Sequence, residues 1–215
     1  MVLEDERENT ANISAFQAHF LNDFKLLSQL DMKTQTFNAY TKFLQVRHPF
    51  IRLISAFRDK ISGEISFLKQ EKQFLDIARS IVLKYREGAD TDDLRPAKLR
   101  VTWEEWIRYL TDPSSRPKFN AHWREVYKLC LPCNIHYDFI GNLETVGADS
   151  KFFLDNLGFG NISYPLPHSH SDKSSSDLYS TYFVNVSRKD ILTLYRIYKF
   201  DFELFGFEKP SILNF

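Results

Sequence analysis

Two short apolar segments, each followed by a helical pattern, constrain the fold more than any other feature of this sequence. Residues 42–47 run into His48-Pro49, and residues 135–140 are closed by Gly141-Asn142, so each has the length and the turn signals of a buried strand. From Pro49 to Ile61 the apolar residues fall in one stripe, which is typical of an amphipathic helix. Strands that alternate with helices predict an α/β fold, with a mostly parallel sheet covered by helices and ligands bound at the carboxyl ends of the strands.

Further helices are predicted from apolar periodicity, caps and stop signals. They cover residues 13–30, 64–86, 102–110 and 149–157, and a last helix begins at Ser187. The helix at 102–110 opens with Thr102-Trp-Glu-Glu105, which matches a capping box. Residues 88–100, 112–118 and 161–180 have the composition of loops, and we expect the last of these to be a surface loop able to close over a ligand. An aromatic tail, residues 201–207, follows the last helix.

Composition limits the classes of protein to be considered. A chain of 215 residues that is 43% hydrophobic can bury one substantial core, so we expect a single domain over residues 1–215. Lys plus Arg and Asp plus Glu are equal at 28 each, so an anionic ligand requires a local cluster of cations and nucleic acid is not an expected partner. No run approaches the roughly 20 apolar residues that a membrane-spanning helix needs.

The cysteine and histidine pairs leave several interpretations open. Cys130 and Cys133 form a single C-x-x-C motif, which zinc binding, a redox dithiol or structural cysteines of a secretory protein would each explain; the turn signals around it favour structural cysteines. His168 and His170 are either metal ligands or solvated loop residues, and the scarcity of further ligands nearby favours the second. We expect no metal. Three Asn-x-Ser sequons, at Asn12, Asn161 and Asn185, are consistent with a lumenal location.

Four polar residues concentrate in the first strand, turn and helix: Arg47, Arg52, Ser55 and Arg58. A guanidinium at a strand end and a hydroxyl on the adjoining helix can surround a phosphate group with charge-assisted hydrogen bonds. The alternative is that these arginines lie on the solvated face of an amphipathic helix. The pattern therefore makes this unit a candidate phosphate site.

The segment Arg47–Lys60 resembles the 3′-phosphate-binding motif of the chondroitin and dermatan family of Golgi carbohydrate sulfotransferases. The resemblance continues, in the family's order, through His122-Trp123, Cys130–Cys133, Tyr137–Thr145 and Leu194–Gly206. It implies transfer of a sulfuryl group from the donor 3′-phosphoadenosine-5′-phosphosulfate to a glycan hydroxyl, on a P-loop-like α/β fold and without a metal. It also implies a glycoprotein of the Golgi lumen, held at the membrane by a type II signal anchor.

The resemblance assigns roles to individual residues of the motif. Arg47 and Ser55 would hold the 3′-phosphate of the donor. Pro49 would shape the turn, while Arg52 would support the site or reach the nucleotide. For Arg58 we expect a surface position or an intradomain ion pair.

Two features depart from the family pattern. The family often carries an acidic residue at the position of His48, so a local partner is expected to differ. Similar enzymes also have a Pro-Lys-containing loop after their first strand that binds the 5′-phosphosulfate, and we expect this strand and loop to lie upstream of Met1. The domain would then be incomplete and the chain weak or inactive in transfer, because cations near the leaving oxygen carry much of the catalysis. The alternative is a non-catalytic form that retains nucleotide or glycan binding.

Sulfuryl transfer also needs a base near the acceptor hydroxyl. His122 is the first candidate and Glu144 the second, because a neutral imidazole or a carboxylate can take up the proton. The alternative for His122 is a packed or hydrogen-bonded structural histidine beside Trp123.

Overall fold

A computed structural model of the chain describes residues 39–62, 71–162 and 175–213. The chain divides into two compact units, residues 1–41 and 42–215, and every element named below belongs to the second. The helix predicted over residues 13–30 and the pair His168 and His170 lie outside the described residues. The prediction of a single domain stays a prediction.

Two parallel strands form the sheet in the described part of the chain. β1 spans Phe43–Val46 and β2 spans Phe139–Asn142, with a register that pairs Phe43 with Phe139 and Val46 with Asn142. Because the two strands run in the same direction, their carboxyl ends lie at the same edge. The predicted α/β fold with parallel strands is confirmed.

Helices fill most of the remaining described chain. They are α1 Pro49–Ala56, α2 Lys72–Tyr85, α3 Trp103–Thr111, α4 Val126–Cys130, α5 Val146–Asn156, α6 Ser175–Phe183 and α7 Arg188–Leu204. A π-helical turn, Phe57–Ile61, continues α1. Short 3₁₀ turns lie at Arg116–Lys118, Leu143–Thr145 and Ser211–Leu213.

Helix α1 lies at the centre of the core. Pro49 occupies its first turn, where the missing N–H costs no hydrogen bond, and Phe50 and Leu53 have no exposed surface. The Phe50 ring stacks on Phe183 of α6, with centroids 4.9 Å apart, and meets Phe202 of α7 edge-on at 5.3 Å. Aromatic contacts in these two geometries add to the free energy of apolar burial, so they fix the position of α1 between the two helices.

The capping box predicted at the start of α3 is confirmed. The Thr102 hydroxyl accepts the Glu105 N–H at 3.2 Å, and a Glu105 carboxylate oxygen accepts the Thr102 N–H at 2.8 Å. The same carboxylate receives the Nε–H of Arg86 at 2.8 Å, at the end of α2. The cap therefore also ties α3 to α2.

The predicted bounds of the second strand are wrong. Residues 132–134 form a turn, residues 135–138 are not part of a strand, and β2 begins at Phe139 and includes Gly141 and Asn142. The turn forms because Leu131 adopts a left-handed conformation, with φ 49°, and its carbonyl accepts the Ile135 N–H. Gly141 belongs to the strand and pairs with Gln45 of β1, and a Cβ there would lie 2.9 Å from the Gln45 side-chain oxygen.

Three other predicted bounds also change. The loop predicted over residues 161–180 is wrong at its end, because residues 175–183 are helical. Helix α5 begins at Val146, three residues before the predicted start, while Gly158 follows its end with φ 80° as expected of a stop signal. Helix α7 continues to Leu204, so most of the predicted aromatic tail is helical. Its Asp201 and Phe202 are buried and extend the core face of the helix.

Removal of the α3 cap should destabilise the fold. Thr102→Ala leaves the Glu105 N–H without its acceptor, so the free energy of unfolding should fall by about 1 kcal/mol. Urea denaturation measures this loss as a lower midpoint with an unchanged slope. Thr102→Ser keeps the hydroxyl and should stay close to the parent; equal midpoints for the Ala and Ser variants would contradict the capping role.

Candidate functional site

The carboxyl end of β1 carries the first candidate site. Arg47 directly follows the strand, and it lines a cavity of about 250 Å³ together with Ser55 of α1. The remaining lining residues are Arg52, Ala56, Asp59, Ala121 and His122. The structure thus brings three of the predicted donor-site residues, and one predicted base, around one space.

In this cavity, Arg47 and Ser55 carry polar groups whose hydrogen-bonding capacity is not used by the protein. Within residues 39–62, 71–162 and 175–213, neither side chain makes a hydrogen bond or an ion pair. Burial lowers the pKa of the Arg47 guanidinium, and the nearby Glu144 carboxylate opposes that shift. A half-buried guanidinium without a protein partner gains most from an anion that replaces its lost water.

Arg52 is committed to the main chain. Its guanidinium donates to the carbonyl oxygens of Ala121 at 2.5 Å and Arg124 at 2.7 Å, which leaves three of its five N–H donors. Burial lowers the pKa of Arg52, so its charge resides in a partly dehydrated setting. Arg52 therefore anchors the segment 121–124 to α1, and its remaining donors line the cavity.

Helix α7 holds the same segment from the other side. The Tyr198 hydroxyl donates to the Trp123 carbonyl at 2.5 Å. The two oxygens of Asp201 each accept an N–H at 2.8 Å, from Val126 and Tyr127 at the start of α4. Burial raises the pKa of Asp201, while these two hydrogen bonds oppose the shift. The chain around His122 is thus fixed between α1 and α7.

His122 lies at the rim of the 250 Å³ cavity. Its ring meets Phe74 of α2 edge-on, with centroids 5.6 Å apart. Burial lowers the pKa of His122, and the Lys60 ammonium group adds to the effect. The ring is therefore neutral at pH 7, the form that a general base needs. The carboxylate of Asp59, which shares the cavity, lies 3.3 Å from the Lys60 ammonium group.

Pro49 and Arg58 lie outside this cavity. Pro49 is buried at the first turn of α1 and does not border the space. Arg58 is exposed and forms no ion pair with any residue that the structure describes. It therefore has the expected surface position and not the intradomain ion pair.

A second and larger cavity, of about 610 Å³, opens where the carboxyl ends of both strands meet. His48 borders it after β1, and Glu144 borders it after β2. One Glu144 carboxylate oxygen accepts the backbone N–H of His48 at 3.0 Å, so the two strand ends are linked directly. The two predicted bases, His122 and Glu144, therefore border different cavities.

Sequence reasoning missed His48 as a site residue. Its ring is surrounded edge-on by Phe50, Phe202 and Phe207, and its Nδ1 atom is buried without a hydrogen-bond partner. Burial lowers the pKa of His48, with the Glu144 carboxylate opposing the shift. The signal that could have found it was its position two residues after the end of β1, at the edge where α/β folds bind ligands.

The cysteines and the acidic side chains form no further candidate site among the described residues. Cys130 is half-buried and Cys133 is exposed, both as free thiols, and burial raises the pKa of Cys130. No group of three or more His, Cys, Asp or Glu side chains in residues 39–62, 71–162 and 175–213 could hold a metal ion. No helix in these ranges has the length and apolar character needed to span a membrane.

Comparison with known proteins defines the family. The sulfotransferase family profile matches residues 1–208, and the chain belongs to this family. It is similar to carbohydrate sulfotransferase 11 of Mus musculus, 35% identical over 209 residues that cover 94% of this chain and 57% of the relative. It is also similar to carbohydrate sulfotransferase 12 of Mus musculus, 38% identical over 180 residues, covering 81% of this chain and 42% of the relative.

Carbohydrate sulfotransferase 10 of Xenopus laevis is a third relative, 33% identical over 220 residues that cover 99% of this chain and 57% of that protein. The chain spans about half the length of the curated relatives it matches. No solved structure gives a significant match. The resemblance to carbohydrate sulfotransferases, stated above on sequence motifs, is confirmed.

His48 should make the stability of the fold depend on pH. Its pKa in the folded chain lies below the ordinary value of about 6.5, so between these two values the unfolded chain binds more protons than the folded one. Stability from this group is therefore complete above about pH 6.5 and is lost as the pH falls through that window. His48→Gln should reduce the slope of unfolding free energy against pH below about 6.5.

Urea denaturation at a series of pH values measures this slope. The double variant His48→Gln, His122→Gln should reduce it further, because burial lowers the pKa of His122 as well. Identical slopes for the parent and His48→Gln would show that the pKa of His48 does not differ between the folded and the unfolded chain.

Proposed function

We propose that this chain serves the transfer of a sulfuryl group from 3′-phosphoadenosine-5′-phosphosulfate to a hydroxyl group of a glycan. The observation that carries the proposal is that Arg47 and Ser55, whose side chains have no partner among the described residues, share a cavity at the carboxyl end of β1. The names of the relatives, all carbohydrate sulfotransferases, support the reaction class.

The charges around the smaller cavity suit the 3′-phosphate of the donor. Arg47 and Arg52 contribute two positive charges and Asp59 one negative charge, while the lowered pKa of His122 leaves that ring neutral. The net positive charge is local, in a chain whose overall formal charge is +0. A phosphate there could accept from the Arg47 guanidinium and from the Ser55 hydroxyl, and Arg52 keeps donors to spare.

In the proposed reaction, the glycan hydroxyl oxygen forms a bond to the sulfur atom. The bond between that sulfur and the bridging oxygen of the 5′-phosphate breaks, which releases adenosine 3′,5′-bisphosphate. The hydroxyl proton passes to a base, for which His122 and Glu144 remain the candidates. His122 borders the proposed donor cavity and Glu144 borders the larger one, so the two candidates imply different positions for the acceptor.

The proposed location is the Golgi lumen, with the membrane anchorage that the resemblance implies and a glycan as partner. Asn161 and Asn185, two of the three sequon asparagines, are exposed in turns, where glycosylation can reach them. Their exposure supports a lumenal glycoprotein. Glycosidase treatment of the protein from secretory expression, followed by gel mobility, tests this location.

Loss of the Arg47 side chain should weaken nucleotide binding strongly. Arg47→Ala removes a charged hydrogen-bond donor from the phosphate, so the affinity for adenosine 3′,5′-bisphosphate should fall by roughly 2 to 3 kcal/mol. Isothermal titration calorimetry measures the change. The matched control is Arg58→Ala, which removes the same charge from an exposed position on the π-helical turn that continues α1. Equal affinities for the two variants would overturn the proposed phosphate site.

Ser55→Ala should have a smaller effect than Arg47→Ala. It removes one neutral hydroxyl from the cavity, so the nucleotide affinity should fall by about 1 kcal/mol. Calorimetry with the same nucleotide compares the two variants. An unchanged affinity would remove Ser55 from the site while leaving the role of Arg47 intact.

Transfer itself is tested with radiolabelled donor and a panel of glycosaminoglycans. Label that moves into polysaccharide supports the reaction, and the loss of that label in His122→Ala or in Glu144→Gln identifies the base. Nucleotide binding without any transfer is expected of the non-catalytic alternative, and also of this chain by itself when the 5′-phosphosulfate loop is missing.

A further inference from the structure

The segment 121–124 places His122 at the rim of the smaller cavity, although it belongs to no helix or strand. Its backbone hydrogen bonds are local, from the N–H groups of Trp123 and Arg124 to the Asn120 carbonyl at 3.1 Å and 2.8 Å. Such bonds give the turn its shape, but they do not determine where the turn lies. Contacts with other elements must therefore set the position of His122.

The carbonyl oxygens on both sides of His122 accept side-chain donors from two different helices. Arg52 of α1 donates to the Ala121 carbonyl, and the Tyr198 hydroxyl of α7 donates to the Trp123 carbonyl, each at 2.5 Å. The main chain of His122 is thus fixed at both of its ends. This arrangement limits the directions that the His122 ring can take.

Tyr198 is well suited to fix a carbonyl group in place. It is 1% exposed, so its hydroxyl needs a protein partner, and the Trp123 carbonyl supplies one. Burial raises the pKa of Tyr198 well above its ordinary value, so the hydroxyl stays protonated and acts as a donor at neutral pH. The same helix buries Leu194, Ile197 and Phe202, which anchors it in the core.

Asp201 extends the contact between α7 and this part of the chain. It follows Tyr198 by three residues, so both side chains lie on the same face of the helix. Its two carboxylate oxygens accept the N–H groups of Val126 and Tyr127, each at 2.8 Å, and the residue is 1% exposed. Tyr198 and Asp201 therefore fix the chain after His122 at two successive points.

Arg52 links the position of the segment to the smaller cavity. Its guanidinium donates to the carbonyl oxygens of residues 121 and 124 and also borders the cavity. If the segment moved, the guanidinium would lose these acceptors and with them its fixed orientation. Tyr198 and Asp201 border neither cavity, so they act on a ligand there only through the segment and Arg52.

We propose that Tyr198 and Asp201 are positioning residues, which hold the His122 ring at the rim of the smaller cavity and the Arg52 guanidinium in its wall. The use of His122 as a base rests on the proposed function. The position of its ring does not, and it can be measured without any transfer.

The charged groups that act on His122 make its pKa a measure of its position. Burial lowers this pKa most, and the Lys60 and Arg52 cations lower it further. The carboxylates of Asp59 and Glu71 act in the opposite direction. These four residues lie on α1, on its π-helical continuation and directly before α2. A substitution on α7 changes none of them, so a changed pKa of His122 reports a displacement of its ring.

Histidine NMR on the 215-residue chain tests the proposal. A pH titration of the ring signal, assigned with His122→Gln, gives the pKa of His122. Tyr198→Phe removes only a hydroxyl, so the segment should relax and the ring should gain water. The pKa of His122 should then rise toward its ordinary value of about 6.5. An unchanged pKa in the folded variant would overturn the proposal.

Tyr195→Phe is the matched control. It removes the same hydroxyl from α7, three residues before Tyr198. That hydroxyl makes no hydrogen bond with the described residues and borders neither cavity. The pKa of His122 should therefore keep the parent's value. An equal rise in both variants would reveal a general loosening of α7, and the specific role of Tyr198 would be refuted.

Asp201→Asn is a second variant, which decides the question if thermal melting shows that Tyr198→Phe does not fold. The amide keeps one acceptor oxygen and loses the other, so one N–H group at the start of α4 loses its partner. The pKa of His122 should rise in this variant too. A folded Asp201→Asn chain with the parent's pKa would show that Asp201 does not position the ring.

Nucleotide binding separates this proposal from the proposed function. Adenosine 3′,5′-bisphosphate in the smaller cavity should raise the pKa of His122 in the parent, because an anion favours the protonated ring. Its affinity for Tyr198→Phe, measured by calorimetry, should be roughly threefold lower, because Arg52 loses its fixed orientation. Equal affinities would refute the part of the proposal that concerns Arg52. A parent that binds no nucleotide would overturn the donor site, and the titration of His122 in the variants would still decide the positioning role.

Discussion

The burial of α1 is the constraint on which the rest of the site depends. Six of its eight residues are buried: Pro49, Phe50, Ile51, Leu53, Ile54 and Ala56. A helix packed on so many sides has only a narrow strip left for polar side chains. In α1 and its π-helical continuation that strip is Arg52, Ser55 and Asp59, whose spacing of three and four residues places them on one face. The polar wall of the smaller cavity is thus a consequence of how the core packs.

The two arginines of this site differ because of what surrounds them. Arg52 lies on the strip beside the segment 121–124, whose carbonyl oxygens have no partner within a helix or strand and accept its N–H groups. Arg47 lies at the end of β1, where the main chain leaves the sheet and offers no such carbonyl. One guanidinium therefore binds mainly to the main chain, and the other makes no hydrogen bond or ion pair within the described residues. Substitution of Arg47 and of Arg52 should therefore have different effects, because loss of the Arg52 side chain also releases the segment around His122.

Local sequence signals predicted the parts of this fold that local forces determine. The strand at 43–46, the proline-initiated α1 and the Thr102 capping box depend on neighbouring residues, and each was found from the sequence. The start of β2 was missed because the left-handed Leu131 sets a turn that apolar periodicity does not reveal. Helix α6 was missed because its sequence is rich in Ser, and its position depends on the stacking of Phe183 against Phe50. A local turn decided the first case and long-range packing the second.

The separation of His122 from Glu144 into different cavities was also beyond sequence reasoning. His48, with φ −47° and ψ 125°, precedes α1 where the chain turns from the strand into the helix. Arg47 borders one cavity and His48 the other, although they are adjacent in sequence. The Glu144 bond to the His48 N–H fixes this junction to the end of β2. A single dipeptide thus forms the boundary between a cavity with excess cationic side chains and one with excess carboxylates.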